Sequence, residues 1–365
     1  MKTGREAASW FAPPGAAQPP AGSAPAYLPD LQLWYRWHHA HRTLPAVWQD
    51  CSLAEIAAAL DIPAWQTVRP WSVETPGVET QTQQNAGERV ISYHTPAGTL
   101  QERWSLGPDG DWWQMEYPVK TAEDLPAARA LVAARTYRLK PDELALTQGE
   151  IGEAGIVAAE LPMHPYSDIL HTLLGWAEGL MLFKSEGRPI LLEMLSMLDE
   201  KLRTLAGQMA ALPGEILLAP DNLDGQYISP RTFREHLGAS YRQTAETLHA
   251  QGKRLVVHVG GPAGRLLPLL AEAGVDAVEG MAGAPQGDTS LAEARAAAGP
   301  NLVLWGGIPQ DLLLEAHGPE EFTQAVRAAA AAARADGRTI LGVADYVPVA
   351  ADVGRLRALS ELIKG

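Results

Sequence analysis

Six short apolar runs in this sequence each end beside a side chain that can do chemistry. Glu160 closes Ile156–Ala159, and Asp221 with Asn222 follows Ile216–Pro220. His258 closes Leu255–Val257, and Glu279 closes Val275–Val278. Trp305 closes Leu302–Leu304, and Asp345 follows Ile340–Ala344. Carboxylates and an imidazole that share a pocket can exchange protons with a substrate or hold a divalent cation. The sequence therefore nominates Asp221, His258 and Glu279 as catalytic groups. It nominates His258, Glu279 and Asp345 as ligands for zinc or a harder divalent ion. Gly260 and Gly261, just past His258, would let a ligand approach the backbone closely. Glu160-Leu-Pro-Met-His164-Pro-Tyr166 is a proline-stiffened loop that would lean His164 and Tyr166 over the same pocket. With Glu160, Asn222, Tyr227, Trp305 and Tyr346 they make the expected substrate contacts. Each residue taken singly has a plainer reading, as a satisfied core histidine, a helix cap or a rim ion pair. The repetition from run to run points to a site.

Such a site needs a scaffold that brings run after run to one rim. From about residue 150 the runs Gly155–Glu160, Glu215–Ala219, Arg254–His258, Val275–Glu279, Leu302–Trp305 and Thr339–Val343 alternate with helical patterns. The helices are Pro230–Gln251 with Ser229 as its cap, Ala263–Ala273, Ser290–Ala298 and Pro319–Ala335. Strand and helix in strict alternation imply parallel strands joined by right-handed crossovers. Leu44–Trp48 supplies a seventh strand. No Gly-x-Gly-x-x-Gly follows any of them, so the expected fold is an α/β (β/α)8 TIM barrel, whose site lies at the strands' C-terminal ends. Nine of the eleven tryptophans lie at or before Trp113. That part reads as an N-terminal Trp-rich excursion, about residues 65–115, containing a β-hairpin of Arg89–Tyr93 and Thr99–Trp104 around Thr95-Pro-Ala-Gly98. Ser52 and Glu55 form a capping-box pattern at a helix start. Residues 1–29, rich in Pro, Ala and Gly, read as a disordered tail, and 30–365 as one domain.

Composition narrows the partners. The 365 residues carry 29 Lys+Arg against 43 Asp+Glu, a net charge of −14, which argues against a nucleic-acid surface. The lone cysteine, Cys51, excludes an intrachain disulfide and any multi-thiolate metal site, and suits a reducing, cytoplasmic setting. No apolar run reaches the length of a membrane span.

Tyr117–Lys364 resembles the uroporphyrinogen decarboxylase superfamily, which also contains zinc-dependent, corrinoid-linked methyltransferases and cobalamin-independent methionine synthase. The matching passages are Tyr117-Pro-Val-Lys-Thr-Ala-Glu-Asp-Leu125, Ala219–Pro230 with Phe233, Gly252–Gly261, Leu269–Asp276, Leu304-Trp-Gly-Gly-Ile-Pro309 and Tyr346-Val-Pro348. The resemblance implies the barrel and its pocket. The methyltransferase branch binds zinc through His-x-Cys and a late cysteine. Here those places read His258-Val259-Gly260 and Ala344, so the family's thiolate site is excluded. The decarboxylase's arginine-rich segment and late histidine are missing too, and Ser167-Asp-Ile-Leu170 matches its aspartate motif only superficially. The leading expectation is methyl transfer or demethylation of a small substrate. Any corrinoid would arrive on a partner protein, because no corrinoid-binding module stands in the chain. Uroporphyrinogen decarboxylation and a catalytically silent ligand-binding barrel are the alternatives.

Overall fold

The computed structural model describes residues 4–13, 25–108, 110–283 and 286–364. Met1–Pro70, Pro141–Leu161 and Ala210–Gly365 make one compact unit, and Trp71–Lys140 with Pro162–Met209 a second.

The first unit is built on β1 (Ala26–Tyr27), β2 (Ala64–Val68), β3 (Gly155–Glu160), β4 (Ile216–Leu223), β5 (Arg254–Val259), β6 (Ala277–Met281), β7 (Val303–Ile308) and β8 (Thr339–Val343). All pair in parallel, in the order β2-β3-β4-β5-β6-β7-β8-β1, which is the succession of a (β/α)8 barrel. Among the described residues no ladder joins β1 to β2. Every strand contributes to one apolar cluster, through Ala26, Trp65, Ile156, Ile216, Val256, Ala277, Val303 and Ile340 among others, so the sheet curls round a single interior. The strands read as continuous apolar runs because both faces are covered: Leu255, Val256 and Val257 are all fully buried.

Leu44–Trp48 is not a strand, since Pro45 leads into a 3-10 turn, Ala46–Trp48, that buries Trp48. The missing strands are β1 and β2, each short and flanked by proline. Residues 4–13 are not a disordered tail: Gly4–Ser9 is a helix, and Ala7, Trp10 and Phe11 join the apolar cluster. This segment lies at the strands' N-terminal ends. Gly4 packs on Gly155, the first residue of β3, and Arg338, just before β8, donates to the carbonyl of Ala12. The aromatic pair repays the ordering of a sequence that is otherwise poor in core formers. Residues 1–3 and 14–24 lie outside the described residues.

Helix signals behaved as capping chemistry requires. Ser52 and Glu55 close a reciprocal capping box, as do Ser290 and Glu293. The helix expected over Pro230–Gln251 is broken at Leu237 into Pro230–His236 and Gly238–His249.

The second unit holds a four-stranded antiparallel sheet of Glu79–Gln84, Glu88–Thr95, Gly98–Leu106 and Trp112–Glu116, and a two-stranded pair of Trp71–Glu74 with Thr136–Leu139. The expected hairpin forms, with Thr95 paired to Gly98 and the Thr95 hydroxyl donating to the Gly98 carbonyl. The expected bounds of 65–115 do not describe this unit. Residues 65–68 belong to β2, and two separate stretches of chain compose the unit. Inside it Arg135 and Asp168 form a buried ion pair, which accounts for the Ser167-Asp168 motif structurally. Among the described residues no helix is long and apolar enough to cross a membrane.

Candidate active site

Parallel pairing sets His258 directly opposite Glu279 across β5 and β6. Two residues earlier on the same strands, Val256 and Ala277 belong to the interior cluster. Strand alternation therefore turns His258 and Glu279 inward too, one step nearer the C-terminal ends. The His258 Nδ1–H donates to Glu279 Oε2 at 2.5 Å, and Nε2 stands 3.7 Å from Asp345 Oδ1. Asp345 lies two residues beyond β8 with φ at 71°, a left-handed conformation costly for a residue with a Cβ. Such strain gathers where function fixes a side chain.

The charges in this mouth act on one another. Burial works against the His258 imidazolium, yet the charge and hydrogen bond of Glu279, with the fields of Asp345 and Asp221, lift its pKa from 6.5 to about 9. Burial raises Asp345, and Glu279 adds to the rise against the opposing pull of His258, leaving it at about 6. The ring is thus an imidazolium at neutral pH, clamped by an acid on Nδ1 and faced by another across Nε2.

A fourth acid, Asp30, escaped the sequence reading. It follows β1 by three residues, and its carboxylate takes the backbone N–H of Gln32 at 2.7 Å. Burial lifts its pKa; Gln32 and Arg36 oppose this while Glu279 and Asp345 add to it, and it reaches about 7. The signal was present: Ala26-Tyr-Leu28 is a short apolar run followed, after Pro29, by an acid, and four of the six other runs also lead to one. Its Pro- and Gly-rich surroundings hid it.

The other nominated residues divide. Asp221 is fully buried and accepts from the hydroxyl of Tyr241 on Gly238–His249, so it acts on His258 through its field rather than by touching substrate. Asn222 is exposed on a bulge of β4 with φ at 48°, and Tyr227 is 41% exposed on the loop that follows. Tyr346, half-buried, adjoins Asp345. Glu160 ends β3 as expected, but it is bonded at 2.5 Å to Arg69 beyond β2. Trp305 is not a pocket wall. Its strand runs on to Ile308, and its indole is buried in the interior, 4.6 Å from Trp65 between ring centroids, with Nε1 donating to the Leu28 carbonyl. His164 and Tyr166 belong to the second unit and are buried there, His164 accepting from the Tyr166 N–H and Tyr166 packing on Phe183. The two glycines after His258 also serve another purpose. A Cβ on Gly260 would stand 1.4 Å from Asn222 Oδ1, and one on Gly261 2.5 Å from Asp224 Oδ2. They make room for the side chains of the loop after β4.

His258, Glu279 and Asp345 come together, but not as ligands of one ion. Glu279 occupies Nδ1 and Asp345 faces Nε2, so the two acids lie on opposite sides of the ring. No group of three or more His, Cys, Asp or Glu side chains among the described residues has the geometry to hold a metal. The residues fit a hydrogen-bonded acid–base set instead.

Residues 192–365 match the family model described as Uroporphyrinogen decarboxylase (URO-D). Those residues, just under half of the chain, are similar to that family. Among solved structures, a methyltransferase from Methanosarcina mazei superposes with a TM-score of 0.57 at 14% identity, covering 100% of this chain and 98% of that one. At that identity the likeness shows the fold alone. D-Psicose 3-epimerase from Clostridium cellulolyticum H10 gives a TM-score of 0.35 at 11% identity, over 61% of this chain and 81% of its own. No curated protein matches the chain. The superfamily resemblance read from the motifs is borne out. The uroporphyrinogen decarboxylase-like part carries β4 to β8, and with them Asp221, His258, Glu279 and Asp345.

Proposed function

We propose that the mouth of the curled sheet is the active site of a uroporphyrinogen decarboxylase-like enzyme that removes a methyl group from a small substrate. The observation that carries this is the clamped imidazolium of His258, 2.5 Å from Glu279 and 3.7 Å from Asp345. When a methyl group leaves an ether oxygen or an amine nitrogen, the bond breaks with its electron pair on the heteroatom, which then needs a proton. His258 Nε2–H is placed to give one, while Glu279 holds the ring in the tautomer that keeps Nδ1 protonated. Asp345 orients the substrate and neutralises the imidazolium before transfer. The nucleophile that takes the methyl group would come from a thiol or from a corrinoid carried by a partner protein.

The test is to incubate the chain with a panel of methoxyphenols and methylated amines, with a small thiol or a reduced corrinoid protein as acceptor. Demethylated product is expected in at least one pairing, with His258→Asn lowering turnover by about 10²-fold or more, the usual weight of a general acid. Turnover that survives His258→Asn would remove the proposed role. The family match favours a second reading, decarboxylation of uroporphyrinogen. Conversion of that substrate at a useful rate, with no methyl transfer in the panel, would put it first. Binding without turnover would support a silent barrel.

A further inference from the structure

The gap between β1 and β2 is bridged by a side chain. β1 is only two residues long and pairs only with β8 among the described residues, through Ala26 with Ile340 and Tyr27 with Leu341. On the open side, the carboxamide of Gln32 lies against Thr67 of β2. Gln32 Oε1 accepts from the Thr67 N–H at 2.9 Å and from its hydroxyl at 3.0 Å, and Gln32 Nε2 donates to the Thr67 carbonyl at 3.2 Å. A primary amide carries a donor and an acceptor on one plane, as a peptide unit does, so this side chain completes the edge as a further strand residue would. Without it the Thr67 N–H and C=O would lack these partners in a part-buried seam.

The same residue reaches the mouth from its other end. The Gln32 backbone N–H donates to Asp30 Oδ1, and the Asp30 carbonyl accepts from Val347 N–H at 2.8 Å, two residues past Asp345. Leu28 is held on both sides: its N–H donates to Leu341 O, and its carbonyl takes the Trp305 indole. Gly342 leaves space for that indole contact, since a Cβ there would stand 2.6 Å from Trp305 Nε1. The segment Leu28–Gln32 is therefore pinned at both ends, and the carboxyl of Asp30, held by the Gln32 N–H, feels the fields of Glu279 and Asp345.

We infer that Gln32 closes the β1/β2 seam and is the positioning residue for Asp30, whose carboxyl makes a hydrogen bond to the substrate. The substrate part of this rests on the function proposed above; the seam and the placement of Asp30 do not. Two readouts that need no turnover test those parts. Amide hydrogen exchange of Thr67 is expected to speed up about tenfold in Gln32→Leu, the weight of one ordinary hydrogen bond. In protein labelled with 13C at aspartate carboxyls, the Asp30 resonance, identified by its loss in Asp30→Asn, is expected to shift in Gln32→Leu. Unchanged Thr67 exchange in Gln32→Leu, or an Asp30 resonance that ignores it, would overturn the inference even if methyl transfer is found. If Gln32→Leu does not fold, Asp30→Ala decides. It removes the hydrogen-bonding group, so activity or ligand affinity in the panel above is expected to fall by about tenfold or more. An Ala variant that keeps wild-type activity and affinity would sink the substrate contact. A panel with no hit on wild type removes the substrate clause and leaves exchange and resonance to judge the rest.

Discussion

Along the first half of the parallel strands the interior is aromatic and apolar. Phe11 stands edge-on to Trp305 at 5.6 Å, Trp65 meets Trp305 at 4.6 Å, and Ile156, Ile216 and Val256 fill the space around them. Past Val256 and Ala277 the same strands carry His258 and Glu279, with Asp345 and Asp30 at the ends of β8 and β1. Register brings the two regions into direct contact: Glu279 is the partner of His258 on one side and of Trp305 on the other. The apolar region gains stability from burial and makes no demands on solvent. The polar region gathers like charges, strains Asp345 and desolvates the carboxyls of Asp30 and Asp345, all of which cost stability. A chain can hold such a mouth open only because the other region is well packed, and the N-terminal helix with Trp10 and Phe11 belongs to that packing.

That contrast is open to attack from both sides. The largest effect should come from the apolar region. Trp305→Ala is expected to destabilise the first unit by about 3–5 kcal/mol, read from urea unfolding, as large-to-small core changes do. A loss under about 1 kcal/mol would mean that the aromatic packing is dispensable. On the polar side, Glu279→Gln is expected to bring the His258 pKa from about 9 back toward 6.5, followed through its ring protons by NMR. Its stability cost should be smaller than that of Trp305→Ala. At the rim, Gly260→Ala must displace the Asn222 side chain, and overpacking of this kind costs about 1–3 kcal/mol. Recovery of stability in the double variant with Asn222→Ala would show that the clash is the cause.

The smallest effect is one of pH. Asp30, Asp345 and His258 all bind protons more tightly when folded than when unfolded. Their contribution to stability is therefore full below the unfolded values and is lost as pH rises through the folded ones. For Asp30 and Asp345 the window runs from about 4 to about 7, and for His258 from 6.5 to about 9. Unfolding midpoints should drift down across both windows, and Asp30→Asn should flatten the lower one. A midpoint that climbs from pH 4 to 9 would contradict the charge arrangement described for the mouth.

Strand, helix and the general place of the site were legible because local signals and global fold agree after residue 150. Gly155–Glu160 and Thr339–Val343 were bounded to the residue, since each is an apolar run between polar turns. His258 and Glu279 were legible for the same reason, as polar ends of such runs. β1 was not, because two strand residues between prolines carry no periodicity, and with it Asp30 was lost. Trp305 misled because a tryptophan at the end of an apolar triplet looks like a terminus, while its strand continues through Gly306 and Gly307.

Residue types, their order and their spacing determined that the strands are parallel, that one rim is polar and that a thiolate metal site has no ligands. Tertiary structure alone decided which acid meets which nitrogen of His258, that Asp221 lies behind the mouth instead of in it, and that a glutamine amide stands in for a missing strand edge. The reason is range. Periodicity and capping act over a few residues, whereas these contacts join Gln32 to Thr67, His258 to Glu279 and Leu28 to Trp305, pairs whose meeting depends on register and on the curl of the whole sheet.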